Sequence, residues 1–176
     1  MSDTPSGNRL SGAELSLADL FRQEKDGRSF YHALLKLEGA FPFTTADMLE
    51  LGKAYFERFP AREQNKKDVR LGYTMVRAAI IEKAILTVDA SRRQAWRALF
   101  SDAKRVAPQT EALIASANLK TLLADHDALA AALAAVKASI EEMPKGLIKE
   151  RYNGGLAYFS NILYAVKLNL ISHRPE

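Results

Sequence analysis

Residues 66–88 read KKDVRLGYTMVRAAIIEKAILTV, the longest segment in which apolar side chains recur at helical spacing on more than one face. Val69, Tyr73, Val76, Ile80 and Ala84 form one stripe, and Met75, Ala79, Ile81, Ile85, Leu86 and Val88 carry the apolar surface around the cylinder. A helix with so little polar surface must be enclosed by other elements. Charge is concentrated in its first turns, at Lys66, Lys67, Asp68 and Arg70, with Arg77 and Lys83 further on. The segment therefore predicts the central helix of an all-α domain with one basic end.

The last third of the chain gives a register as well as a fold class. Leu122, His126, Leu129, Leu133, Val136, Ile140 and Met143 alternate spacings of four and three, and so do Lys149, Tyr152, Leu156, Phe159, Leu163, Val166 and Leu170. Pro144-Lys145-Gly146 separates the two series and stops a helix. Folding back at Gly146 pairs positions whose numbers sum to 292, from Met143 with Lys149 out to Leu122 with Leu170. An antiparallel helical hairpin over about 121–171 is predicted, its alanines at 128, 130, 131, 134 and 135 allowing close approach of neighbours.

Earlier segments complete a bundle of seven or eight helices. Residues 1–11 have almost nothing to bury and are expected to form a disordered tail before a single all-helical domain over 12–176. Leu15, Leu17, Leu20 and Phe21 predict a short helix ended by Asp26-Gly27, and Phe30, Tyr31, Leu34, Leu35 and Leu37 a second that stops at Gly39. After Pro42, Thr44 with Asp47 marks a capped start for a helix carrying Met48, Leu51, Tyr55 and Phe56. Ser91 with Gln94 suggests another capping box, opening a helix with Trp96, Leu99, Phe100, Ala103 and Val106 on one side and Arg93, Arg97 and Lys104 on the other. Pro108 breaks that pattern before a weaker helical segment. Leu51-Gly52 followed by Tyr55 resembles the first helix of a tetratricopeptide unit, but no second helix supplies the matching positions and no long-period repeat is present.

The chain of 176 residues is long enough to bury a core without staples, and it contains no cysteine, which excludes disulfides, thiolate metal sites and cysteine nucleophiles. No apolar run approaches the roughly 18 residues needed to cross a bilayer, and MSDTPSGNRLSG lacks the basic and apolar regions of a signal peptide. A soluble, cytoplasmic protein without membrane contact is expected. Net charge is +4, but its distribution is uneven. Residues 1–57 hold 6 basic and 9 acidic side chains (net −3), residues 58–105 hold 12 and 5 (net +7), and residues 106–176 hold 7 and 7 (net 0).

Catalytic signals are sparse. His32 and His126 have no second ligand three or four positions away, and His173 lies near the C-terminus. His126, on the hairpin seam, reads as a core histidine capable of making the hairpin pH-sensitive. Asp47 with Glu50, Asp125 with Asp127, and Glu141 with Glu142 are more simply helix-start acids and solvated surface than general acids or bases. Gly154-Gly155, inside a predicted helix, suggests close backbone packing or a kink. Phosphate-loop, dinucleotide, nucleophile-elbow and zinc-protease motifs are absent.

The basic middle carries the functional expectation. An antiparallel hairpin about Asp89 pairs positions summing to about 178 and brings Lys104 and Arg105 between Arg70 and Arg77. Lys66, Lys67, Arg70, Arg77, Arg93, Arg97, Lys104 and Arg105 then form a cationic surface suited to the backbone of DNA or RNA, without reading of bases. The expected protein is a non-enzymatic binding or assembly subunit with no cofactor, no metal and no small-molecule substrate. A protein-interaction adaptor or chaperone recognising an acidic partner, or a larger complex, is the alternative. An ordinary solvated basic face competes with both.

Overall fold

The structure, a computed structural model, describes residues 16–36, 44–101, 104 and 106–172. The expectations placed on the 1–11 tail, Leu15, Leu37, Gly39, Pro42, Ala103, Arg105 and His173 lie outside those residues. Among the described residues there are eight α-helices and no strand. They are α1 (Leu17–Gln23), α2 (Gly27–Lys36), α3 (Thr45–Arg58), α4 (Lys66–Ile85), α5 (Ala90–Ser101), α6 (Val106–Ser116), α7 (Leu119–Glu141) and α8 (Leu147–Ser172), with a 3-10 turn at Ala61–Glu63. The chain forms two compact units, Met1–Ala79 with Ser139–Tyr152 and Ile80–Ala138 with Asn153–Glu176.

In the first unit aromatic rings join the helices within an otherwise largely aliphatic core. Phe21 meets Phe30 edge-on at 5.6 Å and Tyr55 at 6.3 Å, joining α1, α2 and α3. Arg58 at the end of α3 lies over Phe21, 4.2 Å from the ring centroid, and donates to the carbonyls of Phe21 (2.8 Å), Arg22 (3.3 Å) and Glu24 (3.2 Å). A guanidinium at the carbonyl end of α1 satisfies groups the helix cannot pair internally and complements its dipole. Tyr152 is fully buried and donates to the Met48 carbonyl at 2.8 Å. Burial pushes its hydroxyl well above the ordinary tyrosine range, so it stays protonated as a fixed donor.

Helix starts follow local chemistry. Thr44 and Asp47 form a reciprocal capping box at α3. Asp26 does not end α1, which stops at Gln23; its carboxylate accepts from Ser29 N at 2.8 Å and so opens α2. Asp89, rather than Ser91, caps α5: its carboxylate accepts from the Ser91 amide at 3.1 Å and also from the Ser91 hydroxyl. Pro108 lies within the first turn of α6, where its missing N–H costs nothing, so it supports a helix start instead of a break.

The second unit holds Ile80, Ile81, Ile85, Trp96, Leu99 and Phe100, all buried, with the seam residues from Leu122 to Val136 on α7 and from Leu156 to Leu170 on α8. From Met75 to Ile85 only Arg77 and Lys83 are less than buried, as expected for the central helix, whereas Val69, placed on its apolar stripe, is 43% exposed. The seam residues Leu122, His126, Leu129, Leu133, Val136, Leu156, Phe159, Leu163, Val166 and Leu170 are all buried. In the first unit Lys149 Nζ donates to the carbonyl of Met143, its expected partner, and to that of Glu141, both at 3.1 Å, across the turn at Gly146. Gly146 has φ +152°, within reach of glycine alone among common residues. The α7 alanines behave differently from expectation. Ala130, Ala131, Ala134 and Ala135 are exposed rather than packed against neighbours.

Candidate polyanion-binding surface

Four of the eight cations proposed for the surface belong to the first unit. Lys66, Lys67 and Arg70 are exposed on one face of the first turns of α4. Their side chains have no hydrogen-bond or ion-pair partner among the described residues. The helix N-terminus beneath them is already capped. Asn65 Oδ1 accepts from the Lys67 amide (2.9 Å) and the Asp68 amide (3.1 Å), and Asp68 Oδ2 accepts from the Asn65 amide (3.2 Å). Any attraction for an anion must therefore come from the side chains and not from open backbone N–H groups. Cations at this end oppose the helix dipole, so their placement does nothing for the stability of α4. Arg77, two turns on, is half-buried with its guanidinium 5.4 Å from the Tyr31 ring.

The other cations do not extend an outer basic face in the way the periodicity suggested. Arg97 is engaged by Glu82, which accepts from Nε at 3.1 and 3.0 Å and from a terminal nitrogen at 2.9 Å. Both side chains are nearly buried, with 13% and 6% of their surfaces exposed. Residues 82 and 97 sum to 179, so the α4–α5 hairpin exists in the second unit with almost the expected register, and it turns Arg97 toward α4. Arg93 folds back over the turn, donating to the carbonyls of Val88 (2.7 Å) and Leu86 (3.3 Å). Lys104 is exposed, and Arg105 lies outside the described residues.

Sequence reasoning missed the buried polar cluster of the second unit. Asp125 accepts from Arg92 Nε (2.6 Å) and a terminal Arg92 nitrogen (2.9 Å), and from Trp96 Nε1 (3.1 Å). It sits nearly two turns inside α7, so it is an internal anchor and not a helix-start acid. The only available signal was an acid one residue before a seam position. Among the other acids considered, Asp47 is occupied as a cap, while Glu141 and Glu142 are exposed. His126 is 6% exposed and its Nδ1 lies 3.2 Å from Asp127 Oδ1. No group of three or more histidines and carboxylates suited to a metal ion occurs among the described residues, and none of their helices is long and apolar enough to cross a membrane. No family model, curated protein or solved structure matches the chain.

Proposed function

We propose that the protein is a non-enzymatic, cytoplasmic binding subunit that holds a polyanion, DNA or RNA backbone, through Lys66, Lys67 and Arg70. The observation that carries this reading is the exposure of three cations on one helix face that have no partner among the described residues, at the helix end where their charge is least favourable. Phosphate oxygens would supply the missing counter-charge, a mode of contact that positions the backbone and reads no bases. Arg77, Arg93 and Arg97 then act as scaffold, because each already has a partner within the fold.

A salt titration of full-length protein against short duplex DNA and single-stranded RNA tests the reading. Three phosphate contacts predict a slope of log affinity on log salt of roughly −2 to −3. Replacing Lys66, Lys67 and Arg70 together by glutamine should bring that slope toward zero. Absence of binding at low salt, or unchanged binding by the triple variant, would overturn the reading.

A further inference from the structure

A second surface, independent of the cations on α4, lies wholly within the second unit. Between α7 and α8 runs a groove of about 470 Å³. It is lined from His126 to Lys137 on one helix and from Leu156 to Ile171 on the other. At 1.5 Å per residue those spans are about 17 and 23 Å, enough for three to four turns of another helix. Buried Leu133, Leu156 and Leu163 form the floor. Tyr164, Leu168 and Ile171, spaced four and three apart on α8, form one wall and are 64%, 51% and 43% exposed. On the α7 side the small Ala130 and Ala134 stand between His126 and Lys137, and there a partner backbone can come close.

Charge selects the occupant. Lys137 and Lys167, both exposed, stand among the lining residues, and among the described residues no carboxylate does. Of the two acids that flank His126 in sequence, Asp125 is held by Arg92 and Trp96, and Asp127 is directed to His126. A second copy laid face to face would set lysines against lysines, whereas a stripe of apolar side chains flanked by carboxylates would satisfy floor, wall and rim together. We propose that this groove docks an amphipathic α-helix of a partner protein, with aliphatic or aromatic anchors at i, i+3 or i+4 and i+7 and with Glu or Asp beside them.

Selection from a displayed helical peptide library, apolar at those positions and randomised among Glu, Lys, Gln and Ala elsewhere, tests this on the immobilised full-length chain. Glutamate should be enriched beside the anchors. Binding of the selected peptides should weaken at least about tenfold on Leu168→Asp and on the double variant Lys137→Glu/Lys167→Glu, with circular dichroism confirming that each stays folded. Recovery of no binder, enrichment of neutral or lysine-rich peptides, or equal binding to the variants would each overturn the proposal. So would sedimentation showing a dimer that Leu168→Asp dissolves, since the occupant would then be a second copy.

Discussion

Glu82 is a charged side chain in the most apolar part of the central helix, and Arg97 is what makes its burial tolerable. Replacing one partner strands the other, so Glu82→Ala should cost about 3 kcal/mol in urea unfolding. Joint replacement by Leu and Met should recover most of that loss. Two glycines separate close packing from mere permissiveness. A Cβ at Gly72 would stand 2.6 Å from the Tyr55 hydroxyl, which is held by its 2.6 Å bond to the Asp68 carbonyl, so Gly72→Ala should destabilise. At Gly154 a Cβ meets nothing within 4 Å, and neither packing nor contact explains that glycine. Gly154→Ala should raise stability by up to about 1 kcal/mol. The two capping aspartates are sensitive to acid. The Ser91 hydroxyl holds the Asp89 carboxyl below the ordinary range, and the Ser29 amide does so at Asp26. A lowered pKa in the fold contributes stability that is complete above the unfolded value near about 3.9 and lost as pH falls through the folded one. Both carboxyls should titrate low by NMR, and Asp89→Asn should lessen the loss of stability below about pH 4.

At the scale of elements, two hairpins carry the architecture, and both were legible because helical periodicity is a short-range property of the chain. The Lys149–Met143 contact agrees with the sum of 292, and the Glu82–Arg97 pair, at 179, falls one position from the expected 178. Capping was half legible. Thr44–Asp47 was found, but Asp26, read as a helix end, caps the start of α2, and at α5 the cap is Asp89 instead of the expected Ser91, since Asp is as good a cap as Ser and the pattern alone cannot choose. The anchor between α5 and α7 was invisible, because Arg92 and Asp125 are 33 positions apart. Asp125→Ala would leave a guanidinium and an indole N–H without their partner, costing about 3 kcal/mol. Trp96, the sole tryptophan and fully buried, should report the change through a shifted emission maximum.

For the whole molecule, folding and binding should separate at single residues of one helix. Ile80 is fully buried, and Ile80→Ala should cost about 2–5 kcal/mol. Exposed Arg70→Glu should leave the unfolding midpoint nearly unchanged while weakening nucleic-acid binding, as fluorescence anisotropy would show. An all-α chain, a central helix and a hairpin at Gly146 were all readable from spacing, because each depends on neighbours within a few positions. The excess of positive charge between 58 and 105 was readable too, but not its disposition. Formal charge belongs to a residue type, whereas the availability of that charge depends on what the fold sets beside it. Glu82 met Arg97 and the α4–α5 turn met Arg93, while Lys66, Lys67 and Arg70 kept their side chains open to water.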